Sequence, residues 1–306
     1  MSTTILTTSP PGTPEWLAAH QGKIGGSTVA SILGMGLGNR TPLRVWAELT
    51  GKIPREDISR LPHVRIGTLM EPIVKRLYEE ESQRVVLPTP GLIQHPNFDW
   101  LAGTPDGLVE INGLRVPWEA KTYGNFKARD WGDGAVPLAY QVQVQFYMTI
   151  MGVEQASIAA VPRDGDEDTP ACLWQDIVID PVFCDFMYDR LMEFRDKHWL
   201  ADIPPGADFG KDLETIKAMF PRESPGRVVE MTEEAVQRWT RKEELASQAT
   251  AIEKELKAET AWLKAFMGDA EYGIGPGWWL RCRVEPRKEH IVSASEPRVL
   301  RKVKPQ

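Results

Sequence analysis

Two acids and a lysine lie close together in 102-AGTPDGLVEINGLRVPWEAKTYG-124: Asp106 on a Pro-Asp-Gly corner, then Glu119 and Lys121 within a short apolar run. Successive side chains of a strand alternate faces, so Glu119 and Lys121 project to one side while Ala120 points away. Asn112-Gly113 is a two-residue hairpin signal, which makes 100–110 and 114–121 the two arms and brings Asp106 toward Glu119. Two neighbouring carboxylates repel each other unless a cation sits between them. Oxygen-only ligation suits a hard ion such as Mg²⁺, with Mn²⁺ as a substitute, because such an ion keeps several waters and takes few protein ligands. A lysine beside it would position a nucleophilic water or offset the charge that develops during phosphodiester cleavage. The spacing by itself fits equally a turn-forming aspartate and a solvated Glu-x-Lys pair on a strand.

Composition narrows the setting. A chain of 306 residues with 42% hydrophobic content can bury one sizeable core, alone or with an appended piece. Its net charge of −7 argues against a broadly basic surface, although acids gathered at a metal site contribute to that sum and local patches decide binding. Basic residues do gather near the end: Arg281, Arg283, Arg287, Lys288, Arg298, Arg301, Lys302 and Lys304. They read equally as a solvated strand edge and terminus or as phosphate contacts. No apolar run approaches the roughly 18 residues of a membrane span. MSTTILTTSPPGTPEW lacks the basic start and apolar centre of a secretion signal, so the expectation is a cytoplasmic protein with no membrane contact. Cys172, Cys184 and Cys282 are far apart and fit packing roles rather than a disulfide framework or a metal cluster.

The elements that must position the charged trio follow from periodicity and punctuation. Helices are expected over 14–22, after a Ser27 N-cap, after Thr41-Pro42, over 66–81, 136–151 and 181–200. Strands are expected over 84–94, in the hairpin, and over 156–161 and 172–179. A Pro/Gly-rich break at 201–210 divides a domain of 1–210 from an extension of 211–306. In that extension Leu245, Ala249, Ile252, Leu256, Leu263 and Phe266 form a heptad-like stripe, interrupted by Glu259, on a helix of about 231–267; the basic tail follows as strands. Such a stripe either packs back on its own core or serves as an oligomer seam or partner dock.

Asp106…Glu119-Ala120-Lys121 resembles the PD-(D/E)xK nuclease signature, and four ordered segments resemble one branch of it, the YqaJ-type viral recombinase or phage lambda exonuclease family. These are EWLAAHQGKIGGS (15–27), IGTLMEPIVKRLYEE (66–80), GTPDGLV with WEAK, and VPLAYQVQVQFYMTIMGV (136–153). The likeness covers about 15–200 and implies an α/β (α+β) fold with a restriction-endonuclease-like central mixed sheet flanked by helices. It also implies a metal-dependent exonuclease, 5′→3′ on double-stranded DNA ends, leaving 3′ single-stranded tails for recombination. A single-strand annealing protein as partner, a trimeric ring, and a phage or prophage origin in a bacterial cell belong to the same implication. Carried over by position, Asp106, Glu119 and the Ala120 carbonyl would bind the metal, with Glu71 completing the site. Lys121 would activate or position the attacking water, and Gln143 would orient Lys121 or that water, being an amide in an otherwise apolar helix that needs a polar partner.

For the DNA end, Gly25-Gly26-Ser27 at a helix start offers free N–H groups and a hydroxyl to a phosphate, and Thr104 adds a second hydroxyl. His20 stands where the family often has arginine; an imidazole carries only part of a charge at neutral pH, so Arg65 or Lys23 would share the phosphate. His63, His95, His198 and His290 show no ligand spacing and read as structural. Rival readings are an endonuclease or RecB/Cas4-like single-strand nuclease of the same superfamily, and a non-catalytic DNA-end-binding module.

Overall fold

The computed structural model describes residues 4–36, 40–55, 61–124, 131, 135–164 and 170–284. They divide into two compact units, Met1–Phe220 and Pro221–Gln306.

In the first unit a five-stranded mixed sheet has the order β2-β5-β6-β7-β8. Its strands are β2 (Leu87–Pro88), β5 (Gly107–Ile111), β6 (Leu114–Tyr123), β7 (Gln155–Pro162) and β8 (Leu173–Val178). Only β6 and β7 run parallel, and parallel neighbours need a crossover, here α5 (Leu138–Met151). β5 and β6 are joined by Asn112 and Gly113 at φ 53° and 77°, the left-handed pair that closes a two-residue hairpin. A smaller sheet, β1 (Thr4–Thr7), β3 (Leu92–Gln94) and β4 (Ala102–Gly103), lies beside α1 (Pro14–His20).

Alternation along β6 and β7 sends side chains to two apolar layers. Val116, Trp118, Ala120, Ala159 and Val161 pack with Val74 and Tyr78 of α4 (Pro62–Ser82). Ile158 and Ala160 pack with Val144 and Met148 of α5 on the other face. A third layer joins α5 to α2 (Gly26–Ile32), α3 (Pro42–Leu49) and α6 (Pro181–Phe194). The approach of α2 to α5 requires glycine: a Cβ at Gly26 would stand 2.9 Å from Gln143 Cγ and 3.1 Å from the Tyr147 ring.

Several expected boundaries shift for local reasons. α4 starts at Pro62 rather than near 66, proline being tolerated in a first turn. α2 is capped by Gly25 in extended backbone, so Ser27 is its second residue rather than its cap. The helix expected over 181–200 ends at Phe194 and continues as one π-type turn, Arg195–Trp199. The expected boundary at 210 falls inside the first unit, because the buried Asp212 binds the Thr41 hydroxyl and accepts from Asp208 N–H at 2.8 Å, fastening α7 (Leu213–Met219) near α3.

The second unit holds α8 (Glu233–Met267), a 35-residue helix capped by Thr232, and the hairpin β9 (Tyr272–Gly275) with β10 (Trp278–Arg281). Leu245, Ile252, Leu256, Leu263 and Phe266 of the heptad-like stripe are exposed. Arg287, Lys288, Arg298, Arg301, Lys302 and Lys304 of the basic tail, and His290, lie outside the described residues.

Asp212→Ala leaves the Thr41 hydroxyl and the Asp208 N–H without their acceptor in a buried place. Urea denaturation is expected to show a loss of about 2 kcal/mol, with the midpoint moving and the slope unchanged.

Candidate active site

β6 runs on to Tyr123, whereas β5 begins at Gly107, opposite Trp118. Beyond that point β6 has no strand on this edge, and the Asp106 carboxylate takes the place of one: its Oδ2 accepts from Ala120 N–H at 2.9 Å. The N–H and C=O of one strand residue share an edge, so the Ala120 carbonyl faces the same notch. Glu119 and Lys121 project from β6 on the α5 side, joined by an ion pair from Nζ to Oε1. Gln143 of α5 donates to Glu119 Oε1 at 2.7 Å and to Tyr147 Oη at 2.9 Å, and the Tyr147 hydroxyl donates to the Thr104 carbonyl at 3.1 Å. Gln143 thus holds Glu119, not Lys121. Lys121 Nζ also lies 5.1 Å from the centroid of the Tyr140 ring.

Asp106, Ala120, Lys121 and Gln143 line a cleft of about 580 Å³ with Ser27, Glu71, His63, Trp131, Tyr140 and Arg163, and Glu119 lies buried behind that lining. Glu71 comes from α4, one turn after Gly67, and Pro72 beside it has no N–H to give the Thr68 carbonyl.

The electrostatics are those of crowded acids. Glu119 is 2% exposed, and its Oε2 is buried with no donor among the described residues. Burial, then Asp106, push its carboxyl up to about 8 against the pull of Lys121. Burial and Asp106 likewise raise Glu71 to about 7. Asp106 is raised by burial, partly offset by Lys121, the Ala120 N–H and a hydrogen bond shared with the Glu119 carboxyl when that group holds its proton. Burial works against the Lys121 ammonium, but Glu119 and Asp106 outweigh it and hold its pKa above the usual lysine value.

Among the described residues no three His, Cys, Asp or Glu side chains form a ready-made ligand group. What is present is a pair of acids, an orphaned carboxylate oxygen and a strand-edge carbonyl, which fits a hard ion that keeps most of its waters.

The other expected contacts divide. Ser27 is exposed in the first turn of α2 and lines the cleft. Thr104 Oγ1 accepts the Trp16 indole N–H at 3.1 Å, so its hydroxyl is engaged in positioning α1. His20 is buried, stacked on Trp16 at 4.5 Å, and its Nδ1 meets the Arg55 guanidinium at 3.1 Å. Burial, then Arg55, lower it to about 4. Arginine can only donate, so Nδ1 accepts and the ring is neutral. The partial charge expected of His20 is therefore absent, and Arg55 is the cation beside it. Arg65 is exposed on α4 and does not line the cleft, its position on the helix turning it away from His63, Gly67 and Glu71. Lys23 Nζ is held by the Asp99 carbonyl at 2.6 Å.

Sequence reasoning treated His63 as structural, yet it lines the cleft; its spacing of four and eight from Gly67 and Glu71 was the available signal. Arg163, at the end of β7, had no comparable signal until the β6–β7 register placed Ala160 beside Lys121. His95 and His198 do have structural roles, His95 Nδ1 accepting from Asn97 and Phe98 N–H and His198 Nδ1 meeting the Ile203 carbonyl. Gln145 is bonded at both ends, to the Val178 carbonyl and the Asp180 N–H. Buried Cys172 and Cys184 are each pushed up to about 11, chiefly by burial.

A carboxyl raised from 4.5 to about 8 binds its proton more tightly in the folded protein than in the unfolded one. Its contribution therefore weakens as pH rises toward and through 8. In metal-free buffer the thermal midpoint is expected to fall by a few degrees between about pH 7 and 9, a window above the His20 and His95 transitions, and Glu119→Gln is expected to flatten that slope.

Comparison with known proteins places this arrangement. The chain is 28% identical over 269 residues to the uncharacterized protein YqaJ of Bacillus subtilis (strain 168), covering 85% of this chain and 80% of that one. Among solved structures, the alkaline exonuclease LHK-Exo of Laribacter hongkongensis superposes with a TM-score of 0.52 at 23% identity, covering 62% of this chain and 94% of that chain. LHK-Exo in complex with dAMP gives 0.49 at 25% identity, over 67% and 96%. The mixed sheet flanked by helices is thus a fold shared with that alkaline exonuclease. Residues 15–154, the span that holds α1, α2, α4, the notched hairpin and α5, match the model of the YqaJ-like viral recombinase domain.

Proposed function

We propose that this protein is a Mg²⁺-dependent DNA exonuclease that degrades one strand of a duplex 5′→3′ from its end, leaving 3′ tails for recombination by strand annealing. The observation that carries it is the meeting of Asp106, Glu119 and Lys121 at one unpaired strand edge, with Glu119 Oε2 buried and without a donor. Asp106, Glu119 and the Ala120 carbonyl would hold the ion, with Glu71 reaching it directly or through water. A bound Mg²⁺ supplies Lewis-acid polarisation of the phosphate and a more acidic water.

The remaining work falls to the chain. Gln143 fixes the Glu119 carboxylate through Oε1, which leaves Oε2 facing inward. Lys121 keeps its proton because two acids surround it, so its ammonium orients the attacking water by hydrogen bonding and offsets negative charge as the water oxygen bonds to phosphorus. The bond from phosphorus to the leaving sugar oxygen breaks in line, while the attacking water gives up a proton to solvent and the leaving oxygen takes one up from solvent. Arg163 and His63, exposed on the cleft wall, suit the flanking phosphates. Ser27, exposed on the cleft wall, supports engagement of a terminal phosphate, and the 5′ polarity of this proposal rests on that contact.

Digestion of linear duplex with Mg²⁺ is expected to fall by about a thousandfold or more in Asp106→Ala, Glu119→Ala and Lys121→Ala, each still folded by circular dichroism. EDTA should abolish wild-type digestion, and Mn²⁺ should restore it. Retained digestion in the acid variants would overturn the assignment.

Polarity and end choice are read from duplexes labelled at one end. Loss of the 5′-labelled nucleotide first, with closed-circular duplex left intact, is the expected pattern. Cutting of the circle would instead indicate the endonuclease reading. Comparing 5′-phosphate with 5′-hydroxyl ends shows whether neutral His20 has relaxed the phosphate requirement.

A further inference from the structure

We propose that the exposed stripe of α8 is a self-association surface, on which α8 of a second copy packs antiparallel about a two-fold axis crossing the helix between Thr250 and Ala251. Stripe residues recur at alternating steps of four and three from Leu245 to Phe266, the spacing of a two-helix seam. They lie in water: Ile252 is 64% exposed, Leu256 65% and Phe266 76%. Among the described residues of this 35-residue helix only Met267 is buried. A helix of this length normally owes its stability to burial of its apolar face, which this one lacks in a single copy.

Three charged residues stand at seam positions, Arg238, Lys242 and Glu259; Arg238 faces Leu263 about this axis, and the other two select the partner and its direction. Glu259 occupies a seam position, and Lys242, one heptad before Ala249, occupies another. In a parallel pair in register Glu259 would meet Glu259 and Lys242 would meet Lys242, both like-charged. About the proposed axis Lys242 of each copy meets Glu259 of the other, so the two interruptions neutralise each other twice. The same axis sets Leu245 against Leu256 and the small Ala249 against the larger Ile252, a volume match that neither sequence half shows alone. Just outside the seam it brings Arg241 of one copy toward the Trp262 ring of the other, a ring 62% exposed in the single copy. Glu259 has no ion pair among the described residues, while Lys242 Nζ rests 4.5 Å from the Trp239 centroid of its own helix.

The test is sedimentation equilibrium of the full-length chain across a concentration series, with helix content checked by circular dichroism. Glu259→Lys and Lys242→Glu, each placing like charges opposite one another twice, are expected to weaken self-association about tenfold or more. The double variant Glu259→Lys/Lys242→Glu restores opposite charges and is expected to return within about threefold of wild type. Should α8 act alongside contacts made elsewhere in the chain, the single variants lower the assembly mass by the α8 step, and the double variant recovers it. Single variants that associate as wild type does, or a double variant that stays as weak as the singles, would overturn the proposal; a parallel pair predicts the first of these. The inference does not depend on the nuclease reading: a wild type that fails to digest DNA leaves these masses unchanged, and an unaltered mass leaves digestion as it was.

Discussion

β6 extends to Tyr123 while its antiparallel partner starts opposite Trp118, and the strand that would have continued the pairing is replaced by the Asp106 carboxylate, 2.9 Å from the Ala120 N–H. A buried N–H needs an acceptor, and a carboxylate supplies it more strongly than a neutral group would. The substitution leaves the sheet with a notch whose floor is a backbone carbonyl and whose sides are acids. Glu119 and Lys121 enter that notch because the period of a strand is two, and Gln143 enters because α5 is the crossover that a parallel β6–β7 pair demands. Glu71 reaches it from α4, on the opposite face of the sheet. One interrupted strand pairing therefore gathers residues that are far apart in sequence.

The gathering is energetically awkward, and the awkwardness is informative. Glu119 is almost wholly buried, and two other acids stand nearby; Lys121 compensates one carboxylate, not three. Packing alone would favour apolar replacements, since buried ion pairs rarely repay their desolvation. The acid pair and the orphaned Oε2 are intelligible as a site kept short of positive charge. Glu119 Oε1 has both a cationic and an amide donor whereas Oε2 has neither, so the shortage is confined to one oxygen.

How much of this could be read from residues alone depended on whether local rules governed the feature. Asn112-Gly113 fixed its hairpin because both φ angles require what Asn and Gly tolerate, and strand alternation put Glu119 and Lys121 on one face without further help. Thr41-Pro42 was equally legible: Thr41 Oγ1 does accept the Arg44 N–H, at 3.2 Å. The misses were tertiary. Ser27 looks like a cap, but the approach of α2 to Gln143 and Tyr147 lets Gly25 take that position. Arg65 and His63 are two residues apart on one helix, and only its rotation against the sheet decides which of them lines the cleft. The break at 201–210 has the composition of a linker, yet the buried carboxylate of Asp212 just beyond it ties the chain back to Thr41.

His20 shows the same limit at the level of charge. Its side chain would be partly protonated near neutral pH in water, which makes it a plausible weak phosphate ligand from sequence. Stacked on Trp16 and buried, it loses that charge. The Arg55 guanidinium against Nδ1 then fixes the tautomer with the proton on Nε2, because arginine has no lone pair to offer. The positive charge of this corner is thereby moved from position 20 to an exposed residue that local sequence gives no reason to connect with it. A neutral ring between an indole and a guanidinium keeps α1 packed, while Arg55 stays in contact with solvent.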